Sequence, residues 1–324
     1  STTNPFFQWQ AVAALAAAAD TLKGWDDATA KECLETAIKA WNDEKANPTP
    51  FPKGSHFGGD PEGAPAAGVL AASQGVVSGN QPAAAVATPS PDAAPAPTTP
   101  PPPSRWARMR VGMDWAAAVE LTIATKGAEP YKSRLKELLP QMIDAEQLEF
   151  RGWMAVRALP YLEASEKAQL REAVKTYMAG LDKELDATPF GVPPSLRTWG
   201  GSGEVVEMAT RMYFLHKAYP DLVSPEYTLR AVNYILGTHP VNSTSYVAGV
   251  GTVSKAKTYS FNRGDNASIP GAVVPGYIII KPDFPESLDD FGFLWFEHEA
   301  VVAGSASWVV AGNAADAIVK AAQP

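Results

Sequence analysis

The chain has 324 residues, with 46% hydrophobic and 19% charged, enough length and apolar content to bury a sizeable core. Its net charge is −8 and its basic residues are scattered, which argues against nucleic acid, a ligand that needs a concentrated basic face. Cys33 is the single cysteine, so no intramolecular disulfide and no CxxC metal site can form.

Cys33 has Ala30, Leu34 and Ala37 as neighbours and is expected as a core thiol. No stretch approaches the about 18 apolar residues of a membrane helix, so no transmembrane segment is expected. The alanine-rich run 11–19 lacks a basic flank and reads as a helix rather than a signal peptide. The chain begins at Ser1 without methionine, which suggests a processed or truncated start.

Residues 6–44 predict two helices, broken at Gly24, with Asp26 or Asp27 capping the second. Leu34, Ala37, Ile38 and Trp41 form its apolar stripe at i, i+3, i+4 and i+7. The composition then changes. Residues 88–104 hold eight prolines in 17 positions, and proline removes donors and fixes φ, so neither helix nor sheet fits there. The organisation expected is barrel helices over 1–46, a Gly/Pro/Thr-rich insertion or linker over 47–105, and the remaining helices and site loops over 106–324.

Helices are predicted over 113–125, 131–139 (ended by Pro140), 145–159, 167–184 (capped by Ser165), 203–218 and 225–236 (stopped at Gly237). Residues 238–290 lack periodicity and are rich in Gly, Asn, Ser and Pro. Within them 277–280 is a short β-like run. A loop this long in a helical domain is usually functional. The last helix is expected over 295–311, with Gly312 as its stop. The sum is an all-α fold of about nine helices with large loops.

Glycoside hydrolysis needs two carboxyl groups, one to protonate the leaving oxygen and one as base or nucleophile. A sugar site also needs aromatic faces and hydroxyl-binding groups. Residues 284–308 alternate acids and aromatics in this manner, with Glu286, Asp289, Asp290, Trp295, Glu297, His298 and Glu299. Asp290, Trp295, Glu299 and Ala306 stand at the spacing of the C-terminal signature of glycoside hydrolase family 9. Residues 233–240 (NYILGTHP), 245–251 (SYVAGVG), Asn262-Arg263 and 269–274 (IPGAVV) also resemble that family. Leu288 and Ser305 depart from it, where an aromatic and an asparagine are usual, as does Phe261, where histidine is frequent. The resemblance is strong over 189–311 and fair over the N-terminal helices.

That resemblance implies an incomplete (α/α)6 toroid and an inverting hydrolase of β-1,4-glucan or cello-oligosaccharides, secreted, periplasmic or at the cell surface. It implies Glu299 as general acid, with Glu297 as its rival. Arg263, Trp199, Trp295, His298 and Asp290 are its implied substrate contacts. The family's base is an aspartate in an Asp-Ala-Gly-Asp motif, which this sequence does not contain. An N-terminal chain of the same precursor is therefore the expected partner. The alternatives are an exo-acting glucosidase or glucosaminidase, and a non-catalytic glycan-binding or structural protein. No cofactor is expected: the four histidines lack zinc-ligand spacing, and a structural calcium of the kind some relatives carry has no recognisable loop here.

Overall fold

The computed structural model describes residues 5–50, 105–186, 188, 191–193, 200–239, 243–255, 269–277 and 295–323. They form ten α-helices, one 3-10 helix and two short strands. The chain divides into two compact units, Ser1–Ala124 and Thr125–Pro324.

The first unit holds α1 (Pro5–Thr21), α2 (Asp27–Ala46) and α3 (Arg105–Ala124). Helix α1 packs against both others. It buries Val12, Ala16 and Ala19, a small-residue stripe that lets the neighbouring backbones approach closely. Asp26 starts α2 as the sequence predicts, its carboxylate accepting from Thr29 N at 3.0 Å and Thr29 Oγ1 at 2.7 Å. The Trp9 and Trp41 rings meet edge-on, 5.1 Å between centroids. The Lys45 ammonium lies over both, 3.0 Å from Asp114 of α3. Cys33 is only half-buried rather than a core thiol, because the buried stripe of α2 runs through Ala30, Ala37 and Trp41.

The second unit begins with α4 (Tyr131–Met142), α5 (Ala145–Phe150), the 3-10 helix Gly152–Tyr161 and α6 (Ala164–Asp186). Pro140 lies inside α4 rather than ending it. The single helix expected over 145–159 is two elements, since the chain tightens into 3-10 geometry after Arg151. Helix α6 starts ahead of Ser165; its first turn is closed instead by Glu166, whose carboxylate accepts from Glu163 N at 2.7 Å.

Helix α7 (Ser202–Ala218) is the centre of this unit, packed by the 3-10 helix, by α8 (Glu226–Ile235) and by the last helix. It buries Val205, Val206, Met208, Ala209, Met212 and Leu215. Arg211 is also buried, donating to the Glu149 carbonyl at 2.9 Å and pairing with its carboxylate at 3.3 Å. Helix α8 ends just before Gly237 as expected. Strands β1 (Thr244–Ser245) and β2 (Val253–Ser254) pair in parallel, Thr244 opposite Val253, and Val247 bridges Val273. Most of the expected β-like run 277–280 lies outside the described residues.

The last helix of the sequence reading is two helices, α9 (Trp295–His298) and α10 (Val302–Ala321). Gly312 does not stop α10. A glycine inside a helix costs only about 1 kcal/mol relative to alanine, and Ala311, Ala314 and Ala315 on either side of it are buried. By length and composition alone α10 is apolar enough to cross a membrane, which the shorter predicted helix is not. Its inner face packs on α7 and α8, and its outer face exposes Val302 (88%), Val309 and Val310.

The two faces predict different costs. Leu215→Ala, at a fully buried position of α7, is expected to destabilise the fold by about 2–5 kcal/mol. Val309→Ala, on the outer face of α10, is expected to stay within about 0.5 kcal/mol. Urea titration followed by circular dichroism measures both.

Candidate active site

Glu299 lies at the break between α9 and α10. Residues 299–301 are not helical, and Val301 is extended at φ −120° and ψ 146°. Three elements meet at this break: the N-terminus of α7, the extended run 272–277, and the segment 297–305.

The run 272–277 is clamped from both sides. Ser202 at the start of α7 donates its N–H to the Pro275 carbonyl at 2.9 Å and its hydroxyl to the Val274 carbonyl at 2.5 Å. On the other side Gly276 N donates to the Glu297 carbonyl at 3.2 Å. Val273 N donates to Ser305 Oγ at 3.4 Å. Two glycines make the approach feasible. A Cβ on Gly200 would stand 2.4 Å from the carbonyl oxygens of Pro275 and Gly276. Gly276 has φ +83°, and its Cβ would stand 2.6 Å from the Tyr246 ring, so only glycine fits there.

Between these walls lies a cavity of about 260 Å³, lined by Ser202, Glu207, Val274, Glu299 and Ser307 among others. Glu299 is 9% exposed, and burial pushes its carboxyl above the ordinary glutamate range. A carboxyl that keeps its proton to higher pH than an exposed glutamate, with a cavity beside it, is shifted in the direction that proton donation to a bound molecule requires.

Glu297 and His298 are fully buried, and neither lines the cavity. Both turn to Lys255, itself 3% exposed. Its ammonium stands 3.5 Å from Glu297 Oε2 and 3.2 Å from His298 Nε2. It also lies 3.9 Å from the centre of the Tyr277 ring. Glu299 thus lines the cavity, while Glu297 and His298 lie against Lys255.

Trp199, Arg263 and Asp290 lie outside the described residues, and of Trp295 only the backbone is described, at the start of α9. His216 Nδ1 lies 2.7 Å from the Val223 carbonyl, a local structural contact. Among the described residues no three His, Cys, Asp or Glu side chains come together as a metal site. Sequence reasoning missed Lys255, Tyr277 and Glu207. Glu207 carries a legible signal, since it lies one turn into a helix that begins at a glycine-rich stretch. The other two carry none.

Comparison with known proteins matches residues 7–279 to the model of Glycosyl hydrolase family 9. The matched span ends before Glu299. No curated protein sequence matches the chain. Among solved structures, the cellulase Cel9M of C. cellulolyticum in complex with cellobiose superposes with a TM-score of 0.61 at 19% identity, over 97% of this chain and 65% of that one. A metagenome-derived family 9 endoglucanase gives 0.62 at 19% identity, over 95% and 52%. An endoglucanase from the termite Nasutitermes takasagoensis gives 0.62 at 16%, over 96% and 66%. The chain therefore spans roughly half to two thirds of the length of these structures. With most of its length matched by the family model and its helices following the (α/α)6 barrel of these structures, the chain belongs to glycosyl hydrolase family 9.

Proposed function

We propose that this chain carries the acid half of a glycoside hydrolase site that cleaves β-1,4-linked glucan or cello-oligosaccharides with inversion. The observation that carries this reading is Glu299, a nearly buried carboxyl raised by its surroundings and facing a cavity. Family membership supports the reaction class, and a cellulase of similar fold solved with cellobiose supports the substrate class.

In this reading the Glu299 carboxyl passes its proton to the glycosidic oxygen as the bond from the anomeric carbon breaks. A carboxylate base on the opposite face takes a proton from water, whose oxygen bonds to that carbon. Such pairs stand about 6.5–9.5 Å apart to leave room for the water. The base is an aspartate outside this sequence, on an N-terminal chain of the same precursor. Trp199, Trp295, Arg263 and Asp290 complete the sugar contacts. His298, buried beside Glu299, serves by support rather than by touching sugar. This chemistry uses only carboxyl groups and water, so no cofactor enters it. The enzyme works outside the cytoplasm, where polymeric glucan is met.

Glu299→Gln is expected to lower kcat on cello-oligosaccharides by about 10²–10⁴-fold, the range for loss of a general acid, with folding intact. Proton NMR of the first-formed product is expected to give the α-anomer. A native preparation is expected to show a second polypeptide on a denaturing gel. A single 34.4 kDa band that binds glucan oligosaccharides without turning them over would favour the non-catalytic reading. Products one residue long from the first turnover would favour the exo-acting one.

The raised carboxyl also sets a pH dependence. Burial favours the protonated form, so Glu299 stabilises the folded state most fully below its unfolded value. That contribution is lost as pH rises through the higher folded value. Glu299→Gln stays neutral throughout. Its melting temperature is therefore expected to gain on the wild type as pH climbs above the ordinary glutamate value of about 4.3, and not below it. Thermal melts across that window check the sign.

A further inference from the structure

The cluster around Lys255 joins three stretches of chain that are distant in sequence. Lys255 follows β2, and its N–H donates to the Ser245 carbonyl at 2.9 Å. Glu297 and His298 close α9 and directly precede Glu299. Tyr277 ends the clamped run and meets Tyr246 edge-on, 5.8 Å between centroids. Tyr246 in turn stacks on His239 at 5.3 Å.

The chemistry of the cluster fixes its geometry. An ammonium only donates, so in this contact Nε2 of His298 is the acceptor. Glu297 supplies the opposite charge within the same buried space. The tyrosine face adds an attraction that strengthens out of water. Removing one member of a buried ion pair is more costly than removing both. The α9 terminus is therefore held at two consecutive side chains, and by the Gly276 hydrogen bond to the Glu297 carbonyl.

We propose that Lys255 is the positioning residue for Glu299. By anchoring Glu297 and His298 together, it sets where the backbone leaves α9 and so aims the next side chain into the cavity. Lys255 touches no substrate in this account; it acts through the two residues it holds. The inference rests on the reading of Glu299 as general acid.

The test uses the full chain in its native preparation and three variants. The double variant Lys255→Met with Glu297→Gln removes both charges of the pair at similar volume, which avoids the larger cost of removing one alone. Lys255→Arg keeps the charge. Glu299→Gln marks the loss of the acid itself. On cello-oligosaccharides the double variant is expected to lose about 100-fold in kcat, the scale of a misplacement near 1 Å, with KM little changed. Lys255→Arg is expected to recover much of that loss. On an aryl cellobioside with a dinitrophenolate leaving group, which departs without protonation, the double variant is expected to approach wild-type rates. A merely structural role would slow both substrates alike, and that result would overturn the proposal.

A second readout does not depend on turnover. In protein labelled with ¹³C at the glutamate carboxyl, the resonance lost in Glu299→Gln reports Glu299. Its neighbours in charge are Glu207 across the cavity and the Lys255, Glu297 and His298 cluster. Its midpoint is expected to lie above the ordinary value in the wild type and to fall toward it in the double variant. An unchanged midpoint would overturn the positioning role. A wild-type chain that never hydrolyses glucan would instead count against the functional reading, leaving this readout to decide the geometry.

Discussion

The hydrogen bonds that clamp residues 272–277 are what the candidate site depends on. Ser202 holds the run from the side of α7, while Gly276 and Val273 tie it to the segment that carries Glu299. The run 272–277 is also bridged to residues 246–248, with Val274 N donating to the Tyr246 carbonyl at 3.1 Å and Ala248 N to the Ala272 carbonyl at 2.9 Å, so it carries a fixed position to the non-helical residues 299–301. Each bond is worth only about 0.5–1.5 kcal/mol net. Their value lies in direction, because they converge on a few backbone groups around one cavity. A helix end supplies the rigid partner, Gly200 lets the backbones come close, and Gly276 leaves room for the Tyr246 ring.

Three consecutive residues at the candidate site face two different surroundings. Glu297 and His298 turn inward to Lys255, and Glu299 turns to the cavity. Glu297 and His298 are the last two residues of α9, where successive side chains step by about 100°, and the helix stops before Glu299. The break at residues 299–301 leaves the direction of Glu299 independent of that step. The same break lets α10 begin anew and pack on α7 and α8 without dictating the direction of Glu299.

Much of the helical framework was legible because it depends on local signals. Asp26 caps α2 through its own side chain, and α8 ends where Gly237 allows, both as short-range chemistry requires. The failures have tertiary causes. Pro140 stays within α4, the helix over 145–159 tightens after Arg151, and α10 runs past Gly312 because its flanking alanines are packed. The break at Glu299 was invisible for a related reason: residues 295–311 have helical composition throughout, and hydrogen bonds from residues 273 and 276 decide the matter. Glu299 stands out in the sequence by its spacing to Asp290, Trp295 and Ala306. Lys255 does not, since its partners come from positions 277, 297 and 298 and no sequence spacing announces them.

The indole pair of the first unit has an optical consequence. Trp9 and Trp41 lie 5.1 Å apart at 74°, close enough for their excited states to couple, and the Lys45 charge over both rings shifts those states together. Trp25, by contrast, stands 89% exposed at the turn between α1 and α2 and emits as a hydrated indole. One small helical unit thus holds a chiral, ordered chromophore and a solvent-reporting one. The integrity of its helix packing can be followed by light, in a region of the chain that contains none of the residues around Glu299.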